Sequence, residues 1–111
     1  MKGKHLIVDG KMKRKIGKGD IAKAFREIPP KINMEMVSKP LIFEDDEHNP
    51  GITGLAIIDY SHISIHTFER TNRICVDVFS CRNFCVRKAL NLIRKILDMA
   101  DERVIVIERE V

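Results

Sequence analysis

At 111 residues, 44% hydrophobic and 32% charged, the chain has the length of one domain, 1–111, and the make-up of an ordinary soluble globular fold. No apolar run approaches the roughly 20 residues of a membrane-crossing helix, and the opening MKGKHLIVDGK lacks the apolar core and small-residue cleavage site of a secretory signal, so a cytoplasmic location off the membrane is expected. The net charge of +4 leans on a basic start, where seven of the first eighteen residues are Lys or Arg; no aromatics interleave there for base stacking, so nucleic acid is not expected as a partner.

In chain order, KHLIVDG reads as a short strand ended by Gly10, and the basic KMKRKIGKG after it as a solvated loop. Asp20 is a candidate N-cap for a helix over IAKAFREI, where Ile21, Phe25 and Ile28 form one stripe and Pro29 and Pro30 supply the stop. INMEMV alternates Ile32, Met34 and Met36 with polar neighbours, which predicts a strand that KPLIF continues or flanks. EDDEH, Glu44 to His48, reads as an exposed turn before NPG, because consecutive carboxylates rarely converge on one ion. ITGLAIIDY and HISIHTF follow as strands, with Asp59, Tyr60 and Ser61 at the bend between them. After ERTNR, ICVDVFS alternates Ile74, Val76 and Val78 with Cys75, Asp77 and Phe79. Val86, Ala89, Leu90, Ile93, Ile96, Leu97 and Ala100 keep helical spacing and predict a helix over 84–100. RVIVIE is apolar on both faces, which predicts a central strand.

The order β-α-β-β-β-β-α-β predicts an α+β fold, a two-layer α/β sandwich of one mainly antiparallel sheet with two helices on one face. The bare face of such a sheet needs a cover, and a second copy would supply it, giving a four-layer homodimer. Cys75, Cys81 and Cys85 are odd in number in a chain without a signal segment, which points to free thiols, and no second cysteine pair stands at metal-ligand spacing, so no metal is expected.

Four residues gather the chemistry: Thr53 in GITG, Ser61 in DYSHISIHT eight positions on, His66 five after that, and Cys81 in VDVFSC fifteen further. Singly, each has a plain reading as a strand hydroxyl, a turn serine, a surface histidine or a small buried thiol. Together, SHISIHT and VDVFSC, with the opening GKHLIV, resemble the pyruvoyl-dependent S-adenosylmethionine decarboxylases of bacterial and archaeal type, closely from about Gly51 to Cys81.

That resemblance implies a chain that makes its own electrophile. The Ser61 hydroxyl attacks the Tyr60 carbonyl and turns an amide into an ester, Thr53 stabilises the oxyanion, and His66 removes the Cα proton of the esterified serine. The chain parts between Tyr60 and Ser61 into a β chain 1–60 and an α chain 61–111, whose first residue becomes a covalent pyruvoyl group, the cofactor. The ketone takes up a small-molecule amine substrate, here S-adenosylmethionine, and draws electrons as carbon dioxide leaves; Cys81 returns the proton. The product would feed polyamine synthesis.

The sequence also departs from that family. Glutamate usually precedes the cleaved serine, where Tyr60 stands. Trp-Pro-Glu usually follows HT, where Phe68, Glu69 and Arg70 stand, so the ribose-holding carboxylate falls to Glu69, one place early. No aromatic lies near Glu47 to stack on adenine, which leaves Phe43 and Phe68 as candidates. These departures keep open a pyruvoyl decarboxylase of arginine or ornithine, and an unprocessed, non-catalytic homologue; an anion- or nucleic-acid-binding module on Lys11 to Lys18 is a third reading. Asp77 shares a strand face with Cys81 and is read either as a partner for a ligand amine or as a solvated carboxylate. His5, His48, His62, Cys75 and Cys85 are given no role.

Overall fold

The computed structural model describes residues 2–111. It orders them as β1 (Lys2–Met12), α1 (Lys18–Lys31), β2 (Leu41–Asp45), β3 (Gly51–Ile58), β4 (Ser61–Phe68), β5 (Arg73–Ser80), α2 (Val86–Leu97) and β6 (Met99–Glu110). The strands form one sheet in the order β2-β3-β4-β5-β1-β6, with every neighbouring pair antiparallel.

Alternation decides which side each residue takes. Leu6 and Val8 of β1, Ile63 and Ile65 of β4, and Ile74, Val76 and Val78 of β5 are completely buried on one face. There they join Ile21, Ala24, Phe25 and Ile28 of α1 and Ala89, Ile93, Ile96 and Leu97 of α2 in a single core. Each such large apolar side chain contributes about 1.5–3 kcal/mol on burial. The two helices pack against each other over that face, as the element order predicts. A methyl added at Gly54 would lie 2.8–2.9 Å from Ile21 Cγ2 and the Phe25 ring, so this glycine lets α1 rest directly on β3.

Several boundaries differ from the sequence reading. β1 runs past Gly10 to Met12, because that glycine sits at a register shift beside Met99 and Ala100 rather than at a strand end. α1 starts at Lys18 with Gly17 as its cap; Asp20 stands three places inside, accepting the Gly17 N–H at 2.8 Å and pairing with Arg14 at 3.2 Å. Arg14 also donates to the Ile96 carbonyl at 2.9 Å, so part of the basic loop pins α1 to the end of α2. Pro29 and Pro30 lie inside the last turn of α1, where their carbonyls still accept N–H bonds from Ile32, Asn33 and Met34. INMEMV is not a strand: Asn33 takes the left-handed conformation, Met34 plugs the core, and only Met36 bridges to Ile58. α2 is shorter than 84–100, because Asp98 at φ 44° caps it and Met99 and Ala100 open β6.

The expectation of a central final strand is overturned. β6 is an edge strand beside β1. Ile105 and Ile107 stand opposite Ile7 and His5, on the face away from the helices, while Val104 and Val106 face the other way and also stay partly exposed. The helix-free face is therefore rimmed by apolar side chains: Leu41, Phe43, Leu55 and Ile57 at one end, Ile105 and Ile107 at the other. Among the described residues, no helix is long and apolar enough to cross a membrane.

Gly54→Ala should lower stability by about 1–3 kcal/mol, because the core against Phe25 has no room for the methyl. A urea titration of the two proteins reads this, and equal midpoints would contradict the packing described.

Candidate active site

Ile58 pairs with Ser61, so only Asp59 and Tyr60 turn the chain from β3 into β4. Two-residue hairpin loops favour turns with positive φ inside the loop, usually at Gly or Asn. Neither loop residue here has it; the positive value, 152°, falls on Ser61. That backbone region is close to glycine-only and costs on the order of 1–3 kcal/mol. The strain therefore sits at the Tyr60–Ser61 unit. Its surroundings hold it there. The Asp59 N–H donates to the Glu35 carbonyl at 2.9 Å, and the Asp59 carboxylate accepts the Glu35 N–H at 3.1 Å. The Tyr60 carbonyl accepts the Cys81 N–H at 2.8 Å. Ser61 lies in register with the buried Ser80, whose Oγ accepts the Arg82 N–H at 2.9 Å. A Cβ at Gly3 would fall 2.6 Å from the Ser80 carbonyl oxygen, so that glycine lets β1 close on this corner.

A second group occupies the far end of the same strands. Phe43, Thr53, His66 and Cys75 form one cross-strand row. Thr53 Oγ1 and His66 Nδ1 are 3.2 Å apart, and the His66 ring lies nearly parallel to Phe68, with centroids 6.3 Å apart. Phe43 stands open to solvent beside Thr53. Glu69 is in the turn beyond β4, its N–H bound to the Pro50 carbonyl at 2.9 Å. Burial, with the neighbouring Asp9, pushes the Cys75 thiol up to about 11, so it stays protonated. Ser61 and His66 are five positions apart on one strand, roughly 16 Å. Within one chain, then, Thr53 and His66 lie together, Tyr60, Ser61 and Cys81 lie together, and β4 separates the two groups.

Between them sits a network that the sequence reading did not assemble. Asp77 accepts from Ser64 Oγ at 3.2 Å and meets His5 Nε2 at 3.2 Å. His5 and His62 both pack on Phe79, over which the Arg109 guanidinium lies at 4.5 Å. Asp77 is thus a bound, half-buried carboxylate rather than a solvated one. Asp45 is similarly engaged: its carboxylate accepts the N–H groups of Glu47, His48 and Asn49, which makes EDDEH a capped turn and holds that carboxyl below its ordinary value. Among the described residues, no three His, Cys, Asp or Glu side chains are grouped to hold a metal.

Residues 4–110 match the family model described as S-adenosylmethionine decarboxylase. The chain belongs to the S-adenosylmethionine decarboxylase family. An Archaeoglobus fulgidus protein named S-adenosylmethionine decarboxylase proenzyme is 30% identical over 95 residues, 81% of each chain. A Synechococcus sp. protein of the same name is 58% identical over 31 residues, 28% of this chain and 24% of that one, so the matched stretch spans about a quarter of that relative's length. The crystal structure of the adenosylmethionine decarboxylase from Aquifex aeolicus superposes with a TM-score of 0.77 over 98% of this chain and 91% of that one, at 24% identity, and so shares the α+β fold.

Two measurements check the local chemistry. Ser61→Gly should be more stable than Ser61→Ala by about 1 kcal/mol, since only glycine accepts that backbone without strain; equal urea midpoints would remove the strain. With iodoacetamide at pH 8, Cys85 should react well before Cys75, because N–H groups of α2, chiefly that of Lys88, hold the Cys85 thiol below its ordinary value. Peptide mapping reads the order, and labelling of Cys75 should rise only as pH climbs towards 11.

Proposed function

We propose that the chain is a self-processing, pyruvoyl-dependent S-adenosylmethionine decarboxylase, made as a proenzyme that opens between Tyr60 and Ser61 into chains 1–60 and 61–111. The observation that carries this is the Tyr60 carbonyl, gripped by the Cys81 N–H at 2.8 Å and followed by a serine in strained backbone.

The Ser61 hydroxyl adds to the Tyr60 carbonyl carbon, and the amide C–N bond breaks as the ester forms. Charge builds on the oxygen that Cys81 already contacts, and a positioned donor of this kind is worth roughly 3 kcal/mol in a transition state. Leaving the strained amide geometry favours the same step. Thr53 is the second donor, and its contact with His66 leaves that imidazole a basic nitrogen to take the Ser61 Cα proton. Loss of that proton expels the Tyr60 carboxylate from Cβ, and water then replaces the amino nitrogen as ammonia. The residues at 60/61 fit the formation of a pyruvoyl group, since serine is its source and the acyl oxygen is already held. That group supplies a ketone for an amine substrate and an electron sink for decarboxylation. Cys81, beside the new terminus, returns a proton to the substrate carbon.

Because His66 lies roughly 16 Å along β4 from Ser61, the reading requires a second copy. Two bare faces meeting about a two-fold axis that crosses the strands bring the Tyr60–Ser61 turn of each chain to the His66 end of the other, where Ser61, in the row of the buried Ile58 and Ser80, meets the partner at the hairpin tip. Leu41, Leu55, Ile57, Ile105 and Ile107 supply an apolar rim for such a contact. Phe43 and Phe68, flanking Thr53 and His66, then offer flat surfaces to the adenine, with Glu69 nearby for the ribose.

The test is complementation. Ser61→Ala alone should remain a single full-length chain by intact mass, and His66→Ala should stall at or before an ester that hydroxylamine splits. Co-expressed, the two should yield mixed dimers with one complete site, which restores fragments 1–60 and 61–111 and release of carbon dioxide from carboxyl-labelled S-adenosylmethionine. Continued absence of cleavage in the mixture would refute the shared site. Release from arginine or ornithine instead would refute the substrate.

A further inference from the structure

Two side chains at the Tyr60–Ser61 bond have no part in the chemistry proposed above. The guanidinium carbon of Arg82 lies 4.0 Å from the centre of the Tyr60 ring, a stacked cation–π contact. The same guanidinium donates to the Asn33 carbonyl in the link after α1, and the Arg82 N–H donates to Ser80 Oγ at 2.9 Å. Arg82 is therefore tied at three points, to the end of β5, to the α1–β2 connection and to the face of Tyr60. Its neighbour Cys81 holds the Tyr60 carbonyl.

We infer that Arg82 is a positioning residue for self-cleavage, clamping the Tyr60 ring so that the Tyr60 carbonyl keeps its plane against the Ser61 hydroxyl. The inference rests on the self-processing reading. A hydroxyl must approach the carbonyl carbon from above the amide plane, and rotation at the tip of a two-residue turn would swing that plane away. The Cys81 N–H fixes the carbonyl on one side, and the stacked guanidinium fixes the side chain of the same residue on the other. A planar guanidinium grips either an aromatic face or a carboxylate, so a glutamate at position 60 would be held as the tyrosine is.

Freshly refolded proenzyme, sampled over time by intact mass, tests this. Tyr60→Phe keeps the ring and should cleave at the wild-type rate. Arg82→Ala and Tyr60→Leu should each slow the appearance of fragments 1–60 and 61–111 by between about tenfold and a hundredfold, and the double variant should be no slower than the worse single. Tyr60→Glu should cleave near the wild-type rate with Arg82 present and slowly with Arg82→Ala. Arg82→Ala in the uncleavable Ser61→Ala background should still melt in one cooperative transition and stay fully folded at the assay temperature, which separates positioning from loss of fold. Wild-type cleavage by Arg82→Ala, or slowing by the two changes that multiplies, overturns the clamp and leaves self-processing standing. A wild-type chain that never cleaves overturns self-processing itself.

Discussion

The hairpin between β3 and β4 constrains everything around it. A turn of Asp59 and Tyr60 lacks the glycine or asparagine that such tight loops prefer, and the chain closes it by passing the unfavourable dihedral to Ser61. A strained residue persists only where its neighbours over-determine it. Here Glu35 grips Asp59, Cys81 grips Tyr60, and the register with β5 grips Ser61. The core beneath β4 makes those grips rigid, because Ile63 and Ile65 are wholly buried and cannot slide.

The sheet divides labour between its faces. One face is filled by the two helices and supplies stability. The other combines an apolar rim with a hydrogen-bonded centre of His5, Ser64 and Asp77, where a carboxylate is satisfied by two partners before anything docks on it. A satisfied polar centre costs little to cover, whereas an unpaired carboxylate would oppose burial by several kcal/mol. The face therefore combines exposed apolar edges with a polar centre whose groups already have their partners.

What the sequence made legible follows from the range of each interaction. Alternation in ICVDVFS and helical spacing over 84–100 are local; β5 is where its pattern places it, and α2 is too except at its ends, which close at Val86 and Leu97. The serine, histidine, threonine and cysteine stood out as a motif, yet a motif does not convey distance. That β4 runs straight, and so parts His66 from Ser61, emerges only with the strand itself. Other misses have similar causes. The apolar RVIVIE reads as central, but strand order depends on long-range pairing, and it lies at the edge. Met34 and Met36 imitate a strand because they plug the end of the core. The His5, Ser64 and Asp77 cluster brings β1 to the β4–β5 hairpin across the 72 positions from His5 to Asp77, and no local signal announces that pairing.

The strand order carries a last consequence. β1 belongs to residues 1–60, yet it lies between β5 and β6, both from 61–111, while β3 is zipped to β4 across the proposed cut. The two pieces would be interleaved like the fingers of clasped hands. Severing the backbone would free two new ends at the hairpin tip and nothing else, since parting the pieces means tearing three ladders at once. The proposed scission would then follow folding, and neither piece made alone would own a complete sheet.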